Sequence, residues 1–276
     1  MNSQHYFLVK GGQVIAESWG LTDVGKQRTV NEDCYYLDPD HELILVLDGM
    51  GGHRAGEVAS RLAMETIASF YKMHSKDHQS DIIEEFDHSF TFETNLLRQA
   101  TFEANRVVLG KSLEHDELVG MGCTLTGMAI HGLVVSMINV GDSRMYLIRN
   151  NRIEQISKDH TLAEDQVERG IMSREEARES QLRHILSSVI GVDTRIRIHI
   201  DELAVIPGDI FLMCSDGLTA VMSDEEILNG VLTCKPGPET LDRLVDEANN
   251  RGGPDNTTVT LTQFLEDTGS AGRPQE

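Results

Sequence analysis

Four aspartates in this chain stand beside glycine or asparagine next to dense apolar segments: Asp48 in LILVLDGMGGH, Asp142 in VVSMINVGDSR, Asp216 in DIFLMCSDGL and Asp255 in RGGPDNTTVTLT. A further acidic stretch, RTVNED, carries Arg28, Glu32 and Asp33. One Asp at the end of a strand reads equally well as the cap of a following helix. Its recurrence in the same context favours a second use, in which strands deliver carboxylates to the mouth of a core. Carboxylates gathered there would repel by roughly 4 kcal/mol for a pair about 4 Å apart at an effective dielectric near 20, so something positive belongs among them. Carboxylate and carbonyl oxygens without His or Cys partners suit Mg²⁺ or Mn²⁺ better than Zn²⁺. Arg28 has two readings, a surface ion pair of little worth to stability or a planar donor fork for a phosphate.

These residues need elements to hold them. Residues 43–47 read as a strand buried on both faces, which leaves Asp48 at its end and turns sharply at Gly49, Gly51 and Gly52. From Ala55 to about residue 73 the apolar spacing becomes helical. Residues 35–37 pair with 43–47 through the turn DPDH, and residues 13–21 read as an edge strand. A second long helix is expected over 92–109, followed by strands at 123–130, 133–140, 144–148 and 153–156, joined by His131-Gly132 and Asn150-Asn151 turns. Residues 158–183 are polar and helix-prone, with Ser173 and Glu176 spaced as a capping box, which suggests a surface flap. Strands at 196–200, 210–214 and 258–264 and helices at 223–232 and 239–249 complete the pattern.

Composition narrows the function classes. A 276-residue chain with 39% hydrophobic and 25% charged residues is that of a soluble globular protein. It shows no apolar run of bilayer length and no signal-like start, which suggests a cytoplasmic protein. A formal net charge of −21 argues against nucleic acid or an anionic membrane as partner. The four cysteines form no C-x-x-C pair and read as reduced thiols, while His74, His78, His88 and His115 lie in hydrophilic segments with no ligand role assigned.

The ordered set R-x-x-N-E-D (28–33), V-L-D-G-M-G-G-H (46–53), G-C-T (122–124), V-G-D-S-R (140–144), I-S-K-D-H-T (156–161), I-G (190–191), S-D-G-L (215–218) and G-P-D-N-x-T-V (253–259) resembles the metal-dependent, type 2C serine/threonine phosphatases in their bacterial form. Eight motifs in family order span nearly the whole chain. The resemblance implies an α+β fold, a four-layer αββα sandwich of two antiparallel sheets flanked by helices. It would form one domain over residues 1–266, with a flap at about 158–189 and a disordered tail at 267–276. It implies two tightly bound Mn²⁺ or Mg²⁺ ions and a weaker third. Asp48 would bridge the two, the Gly49 carbonyl would bind one of them, and Asp216 and Asp255 would hold the other. Asp142 would share the third ion with Asp216. Glu32 and Asp33 match direct or water-mediated partners of the metals, and Arg28 matches the phosphate-binding arginine.

The activity so implied is hydrolysis of phosphoserine and phosphothreonine on proteins by activated water, reversing a bacterial Ser/Thr kinase in a signalling circuit. The enzyme would be a cytoplasmic hydrolase and a monomer. Two departures stand out: Met50 occupies the position of a histidine proposed as general acid in eukaryotic members, and Cys123 replaces the usual Thr or Ser of a G-T-T motif. His53 lies three residues beyond Met50 and does not inherit that role. Two other readings share these motifs: a catalytically silent phosphoprotein-binding module, and a phosphatase tuned to one regulatory protein such as an anti-anti-sigma factor. Retention of Asp48, Asp216 and Asp255 argues against the silent module.

Overall fold

The computed structural model describes residues 5–11, 14–51, 55–76 and 80–267. In chain order these form β1 (His5–Gly11), β2 (Val14–Asp23), β3 (Cys34–Asp38), β4 (Leu43–Leu47), β5 (Gly49–Met50), α1 (Ala55–His74), α2 (Phe92–Glu114), β6 (Gly122–Cys123), β7 (Leu125–His131), β8 (Val134–Val140), β9 (Arg144–Arg149), β10 (Arg152–Gln155), α3 (Leu162–Glu168), α4 (Arg174–Glu179), β11 (His199–Ala204), β12 (Ile210–Cys214), α5 (Asp216–Thr219), α6 (Asp224–Leu232), α7 (Pro238–Asn250) and β13 (Thr257–Glu266). The strands make a six-stranded sheet in the order β1-β2-β13-β12-β9-β10, a five-stranded sheet in the order β11-β8-β7-β4-β3, and a small β5-β6 ladder. Every pairing is antiparallel.

Side-chain alternation in β4 and β12 shows why their sequences are unbroken apolar runs. Leu43, Leu45 and Leu47 face α1 and α2, while Ile44 and Val46 face the other sheet. In β12, Ile210, Leu212 and Cys214 face α5, α6 and α7, while Phe211 and Met213 meet Ile44 and Val46 between the sheets. Three apolar layers therefore separate four layers of structure, the αββα sandwich expected. Full burial of each large side chain contributes about 1.5–3 kcal/mol, so these two strands anchor the fold rigidly where they end.

Two expectations need correction. Residues 13–21 are not an edge: β2 lies inside its sheet, between β1 and β13. Val14 and Ala16 face the other sheet and Trp19 and Leu21 face the helices, an alternation that marks burial on both faces rather than an edge. The strand expected at 196–200 pairs with β8 only from His199 onward. Ile196 and Ile198 alternate because they pack, half-buried, on the helix-side core. The flap contains α3 and α4, capped by Thr161 and by the Ser173–Glu176 capping box, and its two ends meet in a bridge between Thr161 and Leu186. His53, His78 and residues 268–276 lie outside the described residues.

Candidate metal centre

Strand register alone brings the acids to one end of the sandwich. Cys34 pairs with Leu47, so Asp33 lies beside Asp48. Leu125 pairs with Val140, and Thr124 binds Asp48, so the Asp48 and Asp142 turns adjoin. Cys214 pairs with both Arg144 and Val259, which places Asp216 between the turn of Asp142 and the segment of Asp255.

Polar groups from neighbouring segments then fix several of these acids or their main chain. The Asp48 N–H donates to Thr124 Oγ1 at 3.1 Å and its carbonyl accepts the Thr124 N–H at 2.8 Å. Gly49 is wedged so tightly that a Cβ would stand 2.2 Å from the Gly56 carbonyl oxygen, which explains glycine there. Ser215 Oγ donates to Asp33 Oδ2 at 2.7 Å and accepts the Thr258 N–H at 2.9 Å. Asn256 Oδ1 accepts the Glu32 N–H at 2.8 Å, and its Nδ2 donates to the carbonyls of Val24 and Val30, both at 3.0 Å. Asp255 Oδ1 accepts the Asn256 N–H, and Asp255 Oδ2 accepts Arg28 Nη2 at 2.8 Å. The Glu32 carboxylate accepts main-chain N–H groups of Gly56 and Glu57 at the start of α1. Sequence reasoning gave Thr124, Ser215 and Asn256 no individual task, although each lies inside a quoted motif and the latter two stand next to an acid.

The acids share one electrostatic field. Burial, followed by the charges of Asp33, Asp216, Asp142 and Asp255, holds the Asp48 carboxyl well above the usual carboxylate range. Burial, offset by Ser215 and reinforced by Asp216 and Asp255, pushes Asp33 up to about 7. Asp142 also reaches about 7 through burial and the charges of Asp216 and Asp159. Asp216 is raised by burial and by the charge of Asp255, against a lowering interaction with the Asp48 side chain. Asp142 does not pair with Arg144: that guanidinium forks onto Asp159, with Nη2 to Oδ2 at 2.7 Å.

This donor set fits hard divalent ions. It is made of oxygens, Asp33 Oδ1 is buried without a hydrogen-bond partner, and the raised proton affinities show how strongly a positive charge would be held. Among the described residues no three His, Cys, Asp or Glu side chains already surround one point. Mg²⁺-like ions commonly take one or two carboxylates and keep several waters, so carboxylates meeting in pairs suit them. Cys123, buried, points its thiol at the Ala59 carbonyl and takes no part. Met50 lies in the β5-β6 ladder, with its methyl 3.3 Å from where a Cβ on Gly122 would stand.

Comparison with known proteins shows the family. The sequence matches the family Protein phosphatase 2C over residues 25–266. The chain belongs to the protein phosphatase 2C family. Protein phosphatase PhpP of Streptococcus pneumoniae is 34% identical over 251 residues, which cover 90% of this chain and 97% of the relative. The crystal structure of the Mycobacterium tuberculosis serine/threonine phosphatase PstP/Ppp aligns with TM-score 0.78 and 31% identity, covering 91% of this chain and 99% of the other. The catalytic domain of PstP in complex with 2 manganese ions aligns with TM-score 0.76 and 30% identity over 92% of this chain and all of that one. This phosphatase is a metal-dependent protein serine/threonine phosphatase, a hydrolase working with Mn²⁺ or Mg²⁺. Among its described residues no helix is long and apolar enough to cross a membrane.

Proposed function

We propose that residues 1–266 act as one catalytic domain that removes phosphate from phosphoserine and phosphothreonine of proteins modified by a cognate bacterial kinase. The supporting observation is the convergence of Asp33, Asp48, Asp142 and Asp216 at one end of the sandwich, with Arg28 at its rim paired to Asp255. Asp48 and the Gly49 carbonyl, with Asp216 and Asp255, would hold two ions. Asp142 would hold a weaker third together with Asp216, and Asp33 would add its free oxygen. Glu32 would act through water, since α1 already holds its carboxylate. When bound, the ions acidify water and neutralise charge on the phosphoryl group.

The chain's own residues do the rest. Arg28 spends one of its five donors on Asp255, which aims the guanidinium across the mouth and leaves donors for non-bridging phosphate oxygens. Ser215 and the Asn256 N–H hold the carboxylates of Asp33 and Asp255, and Thr124 anchors the Asp48 main chain, which is orientation in place before substrate arrives. Free thiols at Cys34, Cys123, Cys214 and Cys234 suit a cytoplasmic protein, and the flap at about 158–189 is the surface that would meet the protein substrate. The test is hydrolysis of an aryl phosphate and of a phosphothreonine peptide with Mn²⁺ and with EDTA, alongside elemental analysis. Full activity in chelator by metal-free protein would refute the reading. Asp142→Ala is expected to keep two tight ions while kcat falls, measured by calorimetry and rates on the same sample.

A further inference from the structure

Two features of the mouth have no task in the metal centre: Met50, and the loop that carries Val192. Side-chain alternation continues past the end of β4. Leu47 faces α1, and a Cβ on Gly49 would meet the Gly56 carbonyl of α1, so Met50 stands on the same face as Asp48. Across the β5-β6 ladder, Cys123 turns its thiol to the Ala59 carbonyl of α1, which places its neighbour Gly122, the partner of Met50, on that outward face as well. A Cβ on Gly122 would stand 3.0 Å from Val192 Cγ2 and 3.3 Å from Met50 Cε. The two side chains therefore converge over a glycine floor, beginning one residue after Gly49.

Val192 is 47% exposed, yet the backbone on both sides of it is held from within the core. Asn105 of α2, itself buried, accepts the Gly191 N–H on Oδ1 at 2.8 Å and donates from Nδ2 to the Asp193 carbonyl at 2.9 Å. Gly191, at φ +93°, packs where a Cβ would stand 2.3 Å from Val108 Cγ1. Ile190, fully buried, exchanges both main-chain hydrogen bonds with Cys123, at 2.9 and 3.0 Å. A buried amide that clamps a loop around a solvent-facing valine adds little to the core. It fixes an apolar surface beside the acids, on a chain whose formal net charge is −21.

We infer that Met50 and Val192 form a seat for an apolar side chain of the protein substrate, close in sequence to the phosphorylated residue. The inference rests on the reading given above, in which phosphate is held at the metal end. The seat starts at the residue after Gly49 and reaches across about one strand spacing, roughly 4.8 Å, toward Val192. An extended peptide advances about 3.5 Å per residue, so the seat meets a side chain about one to three positions from the phosphoresidue. An apolar side chain gains there by leaving water. A polar one would lose water and find no partner on a methionine and a valine. These two residues therefore determine which phosphoproteins are processed, while the acids and Arg28 carry the chemistry.

The test measures kcat/KM with Mn²⁺ on phosphothreonine peptides that carry Leu, or its near isostere Asn, at each of the three positions on either side of the phosphoresidue, so that peptide charge is constant. An aryl phosphate, which has no flanking residue, reports on the metal centre of each variant and sets the scale for its peptide rates. Wild type should favour Leu over Asn by about tenfold at one of these positions. Val192→Thr, which exchanges a methyl for a hydroxyl at nearly constant shape, should cut that preference to about threefold or less, and Val192→Ile should keep it. Met50→Gln should act as Val192→Thr does, and it carries the test should Val192→Thr fail to fold. Equal kcat/KM for Leu and Asn peptides at every position in wild type, or a preference that either Val192→Thr or Met50→Gln leaves intact, overturns the seat while the phosphatase reading stands. Failure to hydrolyse any of these substrates with Mn²⁺ overturns that reading, and the seat with it.

Discussion

The two ends of β12 handle a buried aspartate in opposite ways. At its start, Asp209 is fully buried and completely answered: Arg149 Nε and Nη2 reach its two oxygens at 2.7 and 2.6 Å, and the Ile206 N–H adds a third bond at 2.9 Å. At its finish, Asp216 adjoins Asp48 and Asp142, and the nearest guanidinium on neighbouring β9, Arg144, turns away to Asp159. The same strand and the same residue type give a structural ion pair at one end and an unneutralised cluster at the other. The fold thus can supply arginine to a buried acid, and at the other end, among the described residues, it supplies only Arg28, which reaches Asp255 at the rim, while Asp48, Asp142 and Asp33 accept none.

The comparison is broken most sharply by removing one acid from each end. Asp48→Asn and Asp216→Asn should each lower kcat by roughly a thousandfold with Mn²⁺ present, about 4 kcal/mol of transition-state stabilisation. Metal-free stability should hold or rise, because one member of a repelling cluster has gone. Near-normal initial rates for Asp48→Asn would remove it from the centre. Asp209→Asn should do the reverse: urea unfolding should show a loss of about 3 kcal/mol, since Arg149 is left without its partner, while kcat per folded molecule is unchanged. A smaller effect is expected at the rim. Arg28→Ala should raise KM by about tenfold with a lesser fall in kcat, and Arg28→Lys should recover only part of it, because an ammonium lacks the fork. Equal loss of kcat and kcat/KM would place Arg28 in the transition state alone.

Asp48 and Asp216 were legible because each follows an unbroken apolar run, and an unbroken run means burial on both faces; Asp142 and Asp255 were legible from the Gly or Asn beside them. The capping box at Ser173 was legible because it is local, its two partners standing three positions apart. What escaped was non-local. Asn256 reaches Glu32 across 224 positions and Ser215 reaches Asp33 across 182, and no periodicity records such contacts. β1 escaped because the apolar run inside HYFLVKG is only five residues, Tyr6 to Lys10 including the lysine, too short to mark a strand by itself. Arg28 was visible as a donor near acids, yet its partner is Asp255, from the other end of the chain, rather than Glu32 or Asp33 beside it.

The central claim, that this end of the sandwich is short of positive charge, has a direct thermodynamic test in the pH dependence of stability without metal. Asp33 and Asp142 rise from an ordinary 3.8 to about 7 on folding, and Asp48 and Asp216 rise as well. A folded-state pKa above the unfolded one gives stability that is complete below the unfolded value and lost as pH rises through the folded value. Buried His160, lowered from 6.5 to about 4, and His199 act in the opposite sense over the acid part of that range, but four acids outnumber two imidazoles. Thermal unfolding of the chelated phosphatase should therefore show Tm falling between pH 5.5 and about 8. Saturating Mn²⁺ should abolish the fall and raise Tm most at the alkaline end, because the ions bind ionised carboxylates. A Tm that is flat or rising over that window in chelator, with the same Mn²⁺ increment at both ends, would contradict the account.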